Sequence, residues 1–189
     1  MPKPCQNKEL FKLFFDLSLS NSREIFPISS GIIEMSHWHH TALKTVFALG
    51  GEKMIREIVT DTFFLQQKSK AATKEDLWIG QALQDTLSFH RDHCLGLAAN
   101  MIGEQKRVII ISMGFVDLVM FNPVMVSKKE AYETEESCLS LTGSRQTKRY
   151  TSITVEYVDL NWRPKRLRLS GLPAQICQHE LDHLEGILI

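Results

Sequence analysis

Two histidines near the end of the chain, with a glutamate directly after the first, form an H-E-x-x-H pattern. They are His179 and His183, and the glutamate is Glu180. Histidines four residues apart on a helix lie on one face, about one turn from each other, and can hold a single metal ion. A lone buried histidine is more often an ordinary core residue, but two at this spacing beside a glutamate favour a metal site.

A site of this kind needs a third protein ligand, which metallopeptidases with this pattern take from a later helix. Only six residues follow His183, and the single donor among them, Glu185, points to the far side of the helix. The third ligand is therefore expected upstream. A thiolate binds divalent metals strongly, and Cys138 lies in a polar segment between predicted strands, so Cys138 is the expected ligand.

The remaining cysteines are weaker candidates because of their positions. Cys177 lies two residues before His179 and turns away from the ligand face, Cys94 lies in a glycine- and alanine-rich loop, and Cys5 lies in the N-terminal extension. The chain has no C-x-x-C pair, and we expect no secretory signal. The cysteines therefore predict a reduced, cytoplasmic protein without cross-links.

The composition indicates a compact domain without a polyanionic partner. The chain has 189 residues, 43% of them hydrophobic, and its 22 basic and 22 acidic side chains give a formal net charge of zero. Nucleic-acid-binding proteins usually carry a basic excess on one face, so DNA binding is not expected. No apolar run approaches the roughly 18 residues that a membrane span requires. We expect a monomer that neither binds DNA nor crosses a membrane.

Residues 1–53 lack the sustained helical or alternating pattern of the rest of the chain. Their acidic residues argue against an organelle transit peptide, which avoids them. We interpret this segment as an N-terminal extension produced by translation from upstream of the true start. Its histidines His37, His39 and His40 are interpreted as incidental and not as metal ligands. The folded domain is expected over residues 54–189.

From Met54 onward the predicted elements follow an α+β order. A helix is expected from an N-cap at Thr73 to near His90, and a second helix is expected to begin near Ser170. Strands are expected at 107–111, 116–121, 153–158 and 167–169, with a loop at 96–99 and turns at 122–123 and 159–164. This order predicts antiparallel or mixed β-sheets packed around a C-terminal metal-binding helix.

Three segments resemble, in order, the motifs of peptide deformylases, which are written G-x-G-x-A-A-x-Q, E-G-C-x-S and H-E-x-D-H. The segments are 94–101, 136–140 and 179–183. The resemblance extends over about residues 54–189. The last motif alone is moderately specific, but three ordered motifs on one short domain make coincidence implausible.

The resemblance implies a metal-dependent hydrolase that removes the formyl group from the initiator methionine of nascent chains and releases formate. The ligands of one divalent ion would be Cys138, His179 and His183. Fe2+ is the first expectation for that ion, with Zn2+, Ni2+ and Co2+ as alternatives. Glu180 would move the proton of the attacking water, and the backbone N–H of Leu139 would stabilise the oxyanion. The substrates would be N-formylmethionyl peptides near the ribosome.

The resemblance also implies an ion network around the ligands. Glu136, Arg149 and Asp182 would fix the last helix against the cysteine segment. The alternative is a surface pair that contributes little to stability.

A peptide-binding groove is implied as well. The methionine side chain would contact Leu95, Leu172 and Ile176. The alternative is that these three apolar residues are ordinary core residues. The backbone of Gly96 would bind the peptide as an added strand.

Three residues depart from the motifs. Cys94 replaces the first glycine, and Met101 replaces a glutamine whose amide donates to the formyl oxygen, whereas a thioether cannot donate. Losing one such donor typically costs ~10²–10³ in rate. Ser137 replaces a glycine and is expected to be strained if its φ is positive. Asn100 is adjacent to Met101, but its side chain is expected to face elsewhere.

Three hypotheses follow from these observations. The first is an active deformylase, and the second is a catalytically weak or inactive deformylase-like protein that binds metal and peptide. The third is an H-E-x-x-H peptidase that cleaves internal amide bonds, and the absence of a downstream ligand weighs against it.

Overall fold

The structure, a computed structural model, describes residues 53–189. The extension, with Cys5 and the histidines His37, His39 and His40, lies outside the described residues apart from Lys53. Within residues 53–189 no helix combines the length and the apolar character that crossing a membrane requires.

The first helices precede the sheet. Helix α1 spans Thr62–Leu65, and a 3₁₀ turn over Lys74–Asp76 leads directly into helix α2, Leu77–Phe89. Thr73 and Asp76 form a capping box at the start of this helical segment. The Asp76 carboxylate accepts hydrogen bonds from the backbone N–H and the hydroxyl of Thr73, at 2.7 and 3.1 Å. The predicted helix from Thr73 to near His90 is confirmed.

Among the residues that the structure describes, five strands form one antiparallel sheet in the order β1-β2-β3-β4-β5. Their bounds are β1 Gly96–Ala98, β2 Val108–Ser112, β3 Asp117–Glu136, β4 Arg145–Val158 and β5 Pro164–Ser170. Strand β2 is buried along its whole length, and β1 forms one edge of the sheet. Helices and an antiparallel sheet together confirm the predicted α+β class.

Two local predictions are wrong. The segment 96–99 is not a loop, because Gly96–Ala98 pairs with β2 and a 3₁₀ turn, Ala99–Ile102, follows. Asn122-Pro123 does not end a strand either. It forms an irregularity inside β3, where Asn122 adopts a φ of 51°, a conformation that asparagine tolerates. The Asn122 side chain also binds the backbone of Ala72, at 2.7 and 3.0 Å.

The last helix, α3, spans Gly171–Leu184 and begins after Ser170, as predicted. It contacts β1, β2 and β4. Gln178 ties it to β4, because its amide accepts from the N–H of Tyr150 and donates to the Tyr150 carbonyl, both at 2.9 Å. Helix α3 is therefore held against the sheet on the side where the end of β3 brings Cys138 near.

Candidate active site

Two separate parts of the chain bring a sulfur and two imidazoles together. Cys138 lies just beyond the end of β3, and His179 and His183 lie one turn apart on α3. One potential ligand atom from each residue lies within 4.8 Å of the other two, and the Cys138 Sγ is 3.1 Å from the His183 Nε2. A thiolate with two imidazoles suits divalent iron, zinc, nickel or cobalt, so the donor set fits such an ion.

His183 is fully buried. Burial, reinforced by His179 and Arg149, lowers the pKa of His183 to about 3. The imidazole is therefore neutral near pH 7, and the neutral form is the one that binds metals.

His179 is oriented by a buried carboxylate at the end of β3. Its Nδ1 lies 2.9 Å from the Oε2 of Glu136. The other ring nitrogen, Nε2, is therefore the one that could bind a metal ion. Burial would raise the pKa of Glu136, but hydrogen bonds from His179 and Arg149 outweigh burial and lower that pKa to about 2. Glu136 is therefore an ionised carboxylate that only accepts hydrogen bonds.

Arg149 of β4 joins this carboxylate to α3. Its Nε and Nη2 donate to the two oxygens of Glu136 at 2.9 and 2.7 Å, and its Nη1 donates to Asp182 at 2.7 Å. The Arg149 and Glu136 side chains are each 4% exposed, so this is a buried pair and not a surface pair. Its position between the strand and the helix suits a role in holding the two together.

Glu180 follows the first histidine and is 3% exposed. A Cβ placed on Gly96 would lie 2.6 Å from the Glu180 Oε1 and 2.6 Å from the Ile176 Cγ2. A side chain at position 96 would therefore displace the Glu180 carboxylate, because the β1 backbone lies directly against it.

A pocket of about 510 Å³, including its open mouth, lies beside these groups. The four residues expected to bind substrate all line it, together with Glu180, Cys138 and His179; the four are Leu95, Gly96, Leu172 and Ile176. Leu139 also lines the pocket, next to Cys138. The arrangement places an apolar wall beside a carboxylate, a thiol and an imidazole.

The departures from the motifs have distinct surroundings. Met101 lines the pocket, is 1% exposed, and its Sδ accepts from the Ala98 N–H at 3.4 Å. Asn100 faces away from the pocket, as expected, and donates to the His183 carbonyl at 2.8 Å. In the described chain, positive φ at non-glycine residues occurs at Asn122, Glu130 and Trp162, so the strain considered for Ser137 does not arise.

Sequence reasoning did not single out Gln175, which lines the pocket and donates to Glu136 at 3.0 Å. Gln175 lies four residues before His179 and therefore on the same helix face, and this spacing could have indicated that it lies at the site.

Cys94 also lines the pocket, and its thiol donates to the Gly96 carbonyl at 2.7 Å. Cys177 stays outside this group. Burial, then Glu180, raises the pKa of Cys177 to about 12, so it remains a thiol.

Comparisons with known proteins agree on one family. The sequence model of the polypeptide deformylase family matches residues 55–189. A peptide deformylase of Clostridium beijerinckii is 52% identical over 136 residues, which cover 72% of this chain and 100% of that protein.

Solved structures agree with the sequence matches. A peptide deformylase from Legionella pneumophila is 33% identical with a TM-score of 0.65, over 71% of this chain and 83% of that one. The actinonin-bound class I type b peptide deformylase from Acinetobacter baumannii is 28% identical with a TM-score of 0.64, over 71% and 94%. This chain belongs to the polypeptide deformylases, metal-dependent enzymes that remove the N-formyl group from nascent peptides.

Proposed function

We propose that this chain hydrolyses N-formylmethionyl peptides with one divalent ion held by Cys138, His179 and His183. The observation that carries the proposal is the approach of these three donors to within 4.8 Å of one another. When bound, the ion supplies a water molecule of lowered pKa and polarises the formyl carbonyl. Fe2+ is the proposed metal.

Glu180 is the proposed general base and acid. It lies beside the first histidine, at the pocket, where its carboxylate can accept a proton from the attacking water and return it to the leaving amine. Its burial against Gly96 limits its motion and excludes bulk water from the proton transfer. The backbone N–H of Leu139 is the proposed donor to the developing oxyanion.

The open edge of β1 is the proposed peptide site. The Ser112 N–H donates to the Leu95 carbonyl at 2.8 Å, so the alternation of an antiparallel pair turns the backbone groups of Gly96 away from β2. A peptide adding there as a further strand would place its first side chain against Leu172 and Ile176. Main-chain pairing of this kind accepts many sequences, as processing of nascent chains requires.

We further propose that Glu136, Arg149 and Asp182 hold α3 and the Cys138 segment in register. We also propose that the substrates of this protein are nascent chains near the ribosome, in the cytoplasm. The protein is proposed to act as a monomer.

Formate release tests the proposal directly. Protein is reconstituted anaerobically with Fe2+ or Ni2+ and given a formyl-methionyl tripeptide, with the acetyl-methionyl tripeptide as the control substrate. We expect formate from the first peptide and no hydrolysis of the second. We expect the formate signal to vanish in Glu180→Ala at unchanged metal content, because the general base is gone while the ligands remain. Fully metallated wild-type protein that released no formate would contradict the proposal.

A further inference from the structure

A line of polar contacts runs from the long strand β3 to the active site, and two of its members, Tyr132 and Gln175, have no part in the proposed mechanism. The Tyr132 hydroxyl donates to the Gln175 Oε1 at 3.2 Å. The Gln175 Nε2 donates to the Glu136 Oε1 at 3.0 Å. Glu136 in turn contacts His179. The line therefore ends on a proposed metal ligand.

The direction of these hydrogen bonds follows from their chemistry. Glu136 is paired with Arg149 through both oxygens, so it can only accept. The Gln175 amide must then present its nitrogen to Glu136 and its oxygen to Tyr132. The Tyr132 hydroxyl has to be the donor, and it thereby fixes the amide in the orientation that Glu136 needs.

Four donors surround the Glu136 carboxylate. Its Oε1 accepts from the Arg149 Nε and from Gln175, and its Oε2 accepts from the Arg149 Nη2 and lies against the His179 Nδ1. Two of the four contacts come from β4, through Arg149, and two come from α3. The carboxylate thus joins the strand and the helix.

The two contacts from α3 are one turn apart. Gln175 and His179 are separated by four residues and therefore lie above one another on the same face. Gln178 and Asp182 already tie α3 to β4, so the distinct effect of Gln175 is on the Glu136 carboxylate. By holding Oε1, the Gln175 amide fixes the direction in which Oε2 faces the His179 Nδ1, and with it the orientation of the His179 ring.

We propose that Gln175 is a positioning residue for the metal site, and that Tyr132 acts through it by holding its amide. The inference rests on the proposed function only in taking Cys138, His179 and His183 as the ligands. Gln175 acts on the ion through Glu136 and His179, so its effect is expected on metal affinity before any peptide is present.

Titration with Co2+ tests this role without measuring catalysis, because cobalt bound by a thiolate gives a distinct visible and near-ultraviolet absorption. We expect Gln175→Leu to weaken Co2+ affinity by about 10-fold, within the usual range for groups that orient a ligand. Tyr132→Phe is expected to weaken it less. The double variant is expected to bind no more weakly than Gln175→Leu alone, because Tyr132 acts only through the amide.

Two further variants separate this role from changes in size or fold. Gln175→Glu keeps the size of the side chain but replaces the donor with an acceptor, so its Co2+ affinity is expected to fall at least as far as in Gln175→Leu. Gln81→Leu removes an exposed glutamine that bonds Asp85 on α2, and its affinity is expected to match the wild type.

Wild-type affinity in both Gln175→Leu and Gln175→Glu would overturn the role of Gln175. Strictly additive losses in the double variant would overturn the role of Tyr132. A wild-type protein without thiolate–cobalt absorption would overturn the proposed ligand set itself, and with it this inference, so the two failures can be told apart.

Discussion

Replacing Gly96 with alanine tests whether Glu180 must keep its place. The new methyl group would lie 2.6 Å from the Glu180 Oε1 and 2.6 Å from the Ile176 Cγ2, whereas ordinary van der Waals contact begins at 3.4 Å. The Glu180 Oε1 is at the end of a flexible side chain and can retreat, whereas the Ile176 Cγ2 is bonded directly to a branched Cβ and yields only by a small shift in local packing. The fold should therefore tolerate the methyl group, with the carboxylate as the group that moves.

The size of the effect follows from that retreat. Restoring ordinary contact displaces the Glu180 carboxylate by about 1 Å, and a misplacement of that size can cost ~10²-fold in rate. We expect kcat for formate release from a formyl-methionyl peptide to fall by about 10²-fold. Metal content is expected to stay unchanged, because the methyl group meets Glu180 and Ile176 and none of the proposed ligands.

Gly80→Ala is the matched control. Its methyl group would also be crowded, at 3.0 Å from Leu160 and 3.1 Å from Phe121, but it lies on α2 away from the pocket. We expect wild-type kcat from this variant. If Gly96→Ala kept full activity with its metal bound, the argument that the β1 backbone positions Glu180 would be refuted.

Two further substitutions test the ion network and the missing donor. Arg149→Leu leaves the buried Glu136 carboxylate uncompensated, so urea unfolding of the metal-free protein should show a loss of about 3–5 kcal/mol. Arg166→Leu, which breaks an exposed pair with Glu156, should change stability by less than about 1 kcal/mol, and equal losses would contradict the argument. Met101→Gln returns an amide donor to the pocket and should raise kcat by up to ~10²-fold at saturating peptide. An unchanged kcat would mean that the pocket has no need of that donor.

The helices were predictable because their signals are local. Thr73 and Asp76 adjoin the helix that they cap, and the periodic apolar and histidine positions of α3 are visible within four residues of one another. The proximity of Cys138 to the two histidines could also be anticipated, because the few cysteines of the chain differ in their local settings. Chemistry that depends on residue type and short spacing can therefore be predicted from the sequence.

Longer-range features gave weaker signals. Strand β3 continues past Asn122-Pro123 because the sheet accommodates the irregularity, and its polar second half lacks the apolar alternation that marks a strand. Strand β1 has three residues, too few for a pattern. The contact between Tyr132 and Gln175 joins residues 43 positions apart, and nothing near either residue indicates the other.

The most direct test of the central claim is X-ray absorption spectroscopy of the protein loaded with one equivalent of Fe2+ or Co2+ under anaerobic conditions. The wild type is expected to show one sulfur and two imidazole nitrogens around the ion. Cys138→Ser is expected to lose the sulfur signal and to bind the ion more weakly. A wild-type ion without sulfur in its coordination sphere, or a sulfur signal that persists in Cys138→Ser, would contradict the assignment of Cys138, His179 and His183 as the metal site.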